Sequence, residues 1–401
     1  MRVLFINQFY QPDSVATAQL LGDVAETLAA WGHQVTVICG ENSEPQIGAA
    51  ASPSSVQVVR VGCRAFSRAP GARMASYATF LANAAVAALQ VPRPDVVVTL
   101  TTPPFTSLLG SLVRRLSKTA RHYIWEMDMY PDVAADLGVI RAGGLASKLL
   151  TAIANGQRRK ADGVIALGEC MRSRLTAHGV APERIRVCEN WADASVVRPT
   201  PVPDGAVLRV LYSGNFGLAH EAATIQRAMD QLNGDARFRF VFNGSGPRRA
   251  ELESFAAARR LRNVSFGSHL SKEDHAGALA GCSLGLVTQH PGCSGSVVPS
   301  KVYSLMAARR PYLFVGPRTA TPALLVARFG CGWQVDPGDA PGLVRLLDQL
   351  AAEPQLIHRA AERAYAAFQR HYDLPAGVAR IAAVLGVTPP VRTDAARILV
   401  A

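Results

Sequence analysis

Apolar positions fall into two alternating rhythms along this chain. Short, unbroken apolar runs of strand length alternate with stretches in which apolar residues recur at helical spacing. RVLFIN (2–7) predicts a buried strand and QFYQPDSVATA (8–18) a loop. QLLGDVAETLAAWG (19–32) predicts an amphipathic helix that Gly32 ends, and HQVTVICG (33–40) the next strand. That order is a βαβ unit, which implies a parallel sheet with helices on its faces. PDVVVTL (94–100), ARHYIWEMD (120–128), DGVIALG (162–168) and RIRVCEN (184–190) predict further strands, with a helix at ECMRSRLTAHG (169–179).

The pattern is interrupted at VVRPTPVPDGAV (196–207), where three prolines in a polar stretch read as a linker. It restarts with LRVLYSGNFG, FRFVFNGSG, NVSFGSH, CSLGLVTQH, PYLFVG and CGWQV as successive strands, helical patterns lying between them. PQLIHRAAERAYAAFQRHY and PAGVARIAAVLGV close the chain as helices. The expected fold is α/β: two Rossmann-like doubly wound units, 1–197 and 198–375, with a cleft between them. A helical segment, 376–401, is expected to pack back on the first. Open α/β sheets bind ligands at the carboxyl ends of their strands.

Composition narrows the class. The 401 residues are 49% apolar, enough for two sizeable cores. No apolar run reaches bilayer length: Ala84–Val91 and Val96–Leu109 are broken by Pro92, Pro94, Pro103 and Pro104. MRVLFINQFY enters a strand at once, so the expectation is a cytoplasmic chain. The seven cysteines are scattered, without C-x-x-C spacing, which argues against a disulfide framework or a zinc site. Cys293, among glycines and serines, is expected to be exposed.

The net charge of +12 is uneven: Gln57–Arg121 holds nine Lys or Arg and one acid, Asp95. That stretch reads either as a solvated basic face or as attraction to an anion. CRAFSRAPGARMASYATFL (63–81) interleaves Arg64, Arg68 and Arg73 with Phe66, Tyr77 and Phe80, a mixture suited to a membrane surface. No zinc finger or RNP-type aromatic motif speaks for nucleic acid.

Candidate chemistry sits at strand ends. YSGNFGLAHE (212–221) and FNGSGPRR (242–249) are glycine turns where backbone can approach a ligand, though either alone also fits an ordinary βα turn. NVSFGSHLSKED (263–274) ends a strand and could border a base or sugar. In GCSGSVVPSK (292–301), glycines, the serine hydroxyls of Ser296 and Ser300 and a lysine, Lys301, converge at an expected helix start with Pro299 in its first turn. A phosphate there would account for a lysine that otherwise opposes the helix dipole; the alternative is a lysine that snorkels to solvent. No Walker loop is present. WEMDMYPD (125–132) supplies Glu126 and Asp128 on one side of a strand end, and Asp132 as a helix cap. No D-x-D pair is present to hold a metal-bound nucleoside diphosphate, and no H-E-x-x-H. Among the histidines, His220 follows a glycine turn and is the favoured candidate for chemistry.

Over essentially its whole length the chain resembles bacterial glycosyltransferases of family 4, of the GT-B fold. The subgroup is that found in O-antigen, capsule and colanic-acid-type gene clusters. The resemblance rests on the order and spacing of VLFINQFYQPDSVATAQLLGDVAETLAAWGHQVTVIC, WEMDMYPDVAADLGVI, VCENWAD, YSGNFGLAHEAATIQRAM, FNGSGPRRAELE and VPSKVYSLMAARRPYL. It implies a retaining sugar transfer without a required metal or cofactor, from a nucleotide-sugar, UDP before GDP, to a saccharide or lipid-linked acceptor. It further implies peripheral contact with the anionic inner face of the inner membrane and no nucleic-acid partner.

On this resemblance the donor is held by Gly214, Asn215, Gly217, His220, Gly244, Phe266 and His269, with Ser296, Ser300 and Ser304 beside Lys301. Asp128, Glu126 and Lys301 are the expected catalytic residues, and Asp13, Ser14 and Thr17 an acceptor-side loop. Ser296 and Ser304 depart from the family pattern of two glutamates eight apart. A GT-B pair that has lost catalysis and scaffolds another transferase, or a nucleotide-sugar epimerase, are the alternatives.

Overall fold

The computed structural model describes residues 1–13, 15–41, 55–64 and 70–389. Among these, two parallel sheets are built in chain order. The first contains β1 (Arg2–Ile6), β2 (Gln34–Gly40), β3 (Gln57–Val61), β4 (Val96–Leu100), β5 (Arg121–Trp125), β6 (Gly163–Ala166) and β7 (Ile185–Val187). Its spatial order is β3-β2-β1-β4-β5-β6-β7. The second contains β8 (Leu208–Asn215), β9 (Phe238–Ser245), β10 (Val264–Gly267), β11 (Leu284–Thr288), β12 (Tyr312–Val315) and β13 (Gly332–Val335), in the order β10-β9-β8-β11-β12-β13. Each sheet reverses its direction of growth beside its first strand, between β1 and β4 and between β8 and β11. Those reversals are the switch points where doubly wound sheets open a crevice. The architecture is the pair of doubly wound α/β units that the apolar pattern predicts, in the GT-B arrangement that the resemblance implies.

The central strands are apolar on both faces because helices cover both. Val96–Leu100 is buried at every position, as is Val3–Ile6. One face of the first sheet packs under the helices Pro70–Gln90 and Ser107–Leu116, through Phe80, Ala84, Leu109 and Val113. The other packs under Ala16–Ala30. The helix Leu374–Leu385 joins that same core with Val378, Ile381, Ala382 and Leu385. There Gly377 lies against the Trp191 indole, where a Cβ would stand 2.3 Å from the ring. The Trp191 ring N–H donates to Asp23 at 2.8 Å. β3 is the strand that the apolar pattern does not announce: it lies at a sheet edge and four of its five residues keep solvent contact.

The carboxyl ends of the two sheets face each other. The loop after β5 meets the loop after β11 in an antiparallel backbone bridge between Asp128 and Val297. The Met129 N–H donates to the Ser296 carbonyl at 2.8 Å. At a second contact, a Cβ on Gly168 would stand 2.0 Å from the Thr321 hydroxyl, so only glycine fits that approach.

Candidate active site

Three sequence features predicted separately meet in the second unit. β8 and β9 pair in a register that places Gly214 beside Gly244. Both have positive φ, +120° and +127°, which side chains with a Cβ rarely adopt. A Cβ on Gly244 would stand 2.0 Å from the Gly214 carbonyl oxygen, and one on Gly214 would stand 3.1 Å from Lys301 Cε. The two glycine turns are therefore pressed together, and the Lys301 side chain crosses over them.

Lys301 is the first residue of the helix Lys301–Ala307, so Pro299 precedes the helix instead of occupying its first turn. Its ammonium lies 4.7 Å from the Tyr212 ring centroid, a cation–π placement. Among the described residues no acid pairs with it, and burial pushes its pKa down to about 8. An unpaired cation in a desolvated place is costly, and an anion beside Gly214 would relieve that cost. Ser304 donates its hydroxyl to the Lys301 carbonyl at 3.0 Å, and Ser300 precedes the helix without a side-chain cap bond.

His220 stands behind this cradle. Its Nδ1 bonds the Thr288 carbonyl at 2.9 Å, its Nε2 lies 3.3 Å from the Tyr212 hydroxyl, and its ring packs against Tyr212 and Phe216. Burial, then the charge of Lys301, lowers its pKa to about 3, so it is neutral. The favoured histidine supports the turn from within; it is not free for chemistry. Asn215 ends β8 exposed and its carbonyl accepts the Tyr212 hydroxyl at 2.7 Å. Gly217 follows, half-buried, in the same turn. Phe266 stacks on Phe242 at 5.8 Å and carries the Arg249 guanidinium 5.9 Å from its centroid. His269 is exposed beyond it. Sequence reasoning passes over His275 and Arg249. The pKa of His275 is lowered by burial and then by its neighbours His269 and Lys301. Arg249 bonds the Gly244 carbonyl. The signal for Arg249 was its place just after a glycine turn.

Across the cleft, Asp128 is half-buried, and no hydrogen bond or ion pair engages its carboxylate among the described residues. Its backbone N–H and that of Met127 donate to the Thr101 hydroxyl, each at 3.1 Å. Burial, with a smaller push from Glu126, raises its pKa to about 6. Tyr77 and Arg73 from the helix Pro70–Gln90, with Tyr130, complete its surroundings.

Glu126 departs from expectation. It is 2% exposed and paired with Arg158, Nε to Oε1 at 2.7 Å and a second nitrogen to Oε2 at 3.3 Å. A carboxylate held this way fixes the loop and is closed to substrate. Asp132 is likewise a hub, bonding Arg174 at 3.1 Å and His178 at 2.5 Å. Burial alone would raise its pKa, but His178, Arg158 and Arg174 together lower it to about 2. Arg174 continues to Asp136 at 2.8 Å and to the Ser294 carbonyl at 3.2 Å.

Ser296 also departs from expectation. It has no exposed surface, and its hydroxyl donates to Asp136 at 2.6 Å, binding the two units instead of a sugar. Cys293, expected at the surface, is fully buried because the turn Pro291–Cys293 folds inward, and burial raises its thiol to about 11. Asp13 turns back to accept its neighbour's Tyr10 N–H at 3.3 Å, and Thr17 lies in the helix Ala16–Ala30. Neither bonds the second unit among the described residues. Ser14 lies outside the described residues.

Residues 17–191 match a family model described as a glycosyl transferase 4-like domain. The chain is 25% identical over 392 residues to a protein of Escherichia coli strain K12 described as a colanic acid biosynthesis glycosyl transferase, WcaI, covering 91% of this chain and 95% of that one. The first half of the chain is thus similar to the glycosyl transferase 4-like domain, and nearly the whole chain to a glycosyl transferase. It is also 26% identical over 270 residues to a Pseudomonas aeruginosa protein described as a glycosyltransferase, WbjE; the match covers 64% of this chain and 66% of that relative. The solved structure of Anabaena Alr3699/HepE in complex with UDP-glucose shares the fold, with a TM-score of 0.72 at 15% identity over 96% of this chain and 99% of that one.

Proposed function

We propose that this glycosyltransferase moves a sugar from a UDP-sugar to a saccharide or lipid-linked acceptor in the making of a cell-surface polysaccharide. The observation that carries the reading is Lys301, an unpaired ammonium lying across the paired glycine turns at Gly214 and Gly244. A diphosphate there would approach backbone closely and meet a fixed positive charge. Phe266, with Arg249 over it, offers an aromatic border on the base side. The UDP-glucose held by HepE and the colanic acid role in the name of WcaI support the donor class and the pathway.

The acceptor would enter on the Asp128 side, where Asp128, Tyr130, Tyr77 and Arg73 are grouped. With no protein nucleophile assigned, retention would come from front-face attack. The acceptor oxygen forms the new glycosidic bond as the sugar–phosphate bond breaks, and the leaving diphosphate takes the acceptor proton. Lys301 and the glycine turns stabilise the charge on that diphosphate, and the two units hold both substrates in reach. Ser304 stands where a glutamate commonly holds the donor ribose in the family, and offers only a neutral hydroxyl there. No metal or cofactor takes part in this reading, and the protein works at the cytoplasmic face of the inner membrane.

The test is incubation with radiolabelled nucleotide sugars and a lipid acceptor extract. Label moving from a UDP-sugar into the lipid fraction supports the proposal. No turnover with any donor would leave a scaffold, and epimerised nucleotide sugar without transfer would make the protein an epimerase.

A further inference from the structure

One segment of the second unit, residues 293–301, runs from the first unit to the donor cradle. Within it Val297 forms the backbone bridge with Asp128, and Val298 is buried in the first unit's apolar core, the one that holds Met127 and Met129. A few residues further on, Lys301 begins its helix over the glycine turns. The carboxylate on the acceptor side and the ammonium on the diphosphate side are therefore tied by the short stretch 297–301. Whatever fixes this segment fixes the two against each other.

Two sets of bonds fix it. On the side of the second sheet, the buried Gln289, which follows β11, donates its side-chain amide to the Cys293 and Val297 carbonyls, each at 2.8 Å. On the side of the first unit, the Ser296 hydroxyl donates to one carboxylate oxygen of Asp136 at 2.6 Å, and Arg174 donates to the other at 2.8 Å. The same guanidinium reaches the Ser294 carbonyl at 3.2 Å. The loop runs so close to the helix Glu169–Ala177 that a Cβ on Gly295 would stand 2.6 Å from the Cys170 carbonyl oxygen. The Met129 N–H completes the seam by donating to the Ser296 carbonyl. That backbone bond would form with any residue at 296, whereas the hydroxyl–carboxylate bond needs a side chain that donates.

The same contact accounts for the serine. Ser296 has no exposed surface. A glutamate there would press a second carboxylate against Asp136 in a place closed to solvent, where like charges repel without screening. Serine gives Asp136 a donor instead. The carboxylate in this corner thus comes from the first unit, and its bond spans the cleft.

We infer that Ser296 and Asp136 form a positioning latch between the two units, which holds Asp128 in register with Lys301 and acts on the transfer step through them. The inference rests on the roles proposed above for Asp128 and Lys301. The latch itself is measured without any substrate, so its result is independent of whether transfer occurs.

The experiment is amide hydrogen exchange on the full chain, read by mass spectrometry, followed by kinetics. Ser296→Ala should speed exchange at Met129 by about tenfold or more and leave the strand Val96–Leu100 at its wild-type rate, because only the seam between the units loosens. Asp136→Ala should do the same, and the double variant should add nothing to either. Asp136→Asn still offers Ser296 an oxygen and should keep Met129 within about threefold of wild type. No change at Met129, or equal acceleration in Val96–Leu100, would overturn the latch. With the donor and acceptor found in the transfer assay above, Ser296→Ala should lower kcat by about tenfold to a hundredfold while UDP binds within about twofold of wild type. An unchanged kcat beside a loosened Met129, or UDP binding weakened as much as kcat, would overturn the positioning role. A wild type that transfers no sugar would sink the reading of function, and the exchange result would still decide the latch.

Discussion

The side chain of Lys301 crosses Gly214 so closely that a Cβ there would stand 3.4 Å from the ammonium nitrogen. The lysine and the glycine are 87 residues apart in the chain, and β8 and the helix Lys301–Ala307 bring them together. The pair joins a fixed charge to an open piece of backbone, the two things a diphosphate needs.

Lys301 should be a residue that function keeps at a cost to stability. Its folded pKa of about 8 lies below the ordinary lysine value of 10.5, so its charged form opposes folding. Stability of the free protein should therefore rise as pH increases from about 8 toward 10.5. Lys301→Met should lose transfer by about a hundredfold or more while holding or raising the melting temperature at pH 7. Parallel activity and thermal-melt measurements check this; a lower melting temperature would make the lysine structural.

The glycine pair should tolerate no side chain. Gly244→Ala would push a Cβ into the Gly214 carbonyl and hold a strained φ, and is expected to cost about 2 kcal/mol or more in urea denaturation. Gly214→Ala meets only the flexible end of Lys301. It should lose more in donor affinity than in stability, and comparing the two variants by both measurements separates packing from ligand approach.

Asp128 should give the pH–rate profile an acidic limb. Its folded pKa of about 6 lies above the ordinary aspartate value of 3.8, so its ionised form destabilises the fold, and stability on its account falls as pH rises from about 4 to about 6. If the ionised carboxylate orients the acceptor, kcat/KM rises through about pH 6 in wild type. Asp128→Asn should flatten that limb, lower activity by about tenfold to a hundredfold, and leave the protein at least as stable at pH 7. A limb unchanged in Asp128→Asn would remove the residue from the reaction.

Arg174 should hold the two units together from outside the chemistry. It bonds Asp132 and Asp136 of the first unit and the Ser294 carbonyl of the second. Arg174→Ala is expected to cost about 2–3 kcal/mol at pH 7. Asp132 has a lowered pKa, so its contribution is present above about pH 4 and lost as pH falls toward 2. The gap between wild type and Arg174→Ala should therefore narrow across that window in urea melts followed by fluorescence.

What the sequence disclosed follows from range. The strands, the glycine turns and the break at the prolines are local patterns, and β8, β9 and Lys301 were legible because strand-end turns and a misplaced charge are visible within ten residues. Glu126 misled because its partner, Arg158, is 32 residues away, and nothing in WEMDMYPD announces an ion pair. Ser296 misled for the same reason, its hydroxyl being taken by Asp136 from 160 residues away. Cys293 looked exposed among small residues, yet small residues also allow a tight inward turn. Arg73 and Tyr77 were noticed for their basic and aromatic character, but their place beside Asp128 depends on how a helix lies on its sheet.

The central claim is that a nucleotide diphosphate is held by Lys301 over the paired glycines. Isothermal titration of UDP and of uridine into wild type and Lys301→Met tests it most directly. The account predicts that Lys301→Met weakens UDP binding at least tenfold and leaves uridine binding unchanged, since only the diphosphate meets the ammonium. UDP bound as tightly by Lys301→Met as by wild type would contradict it.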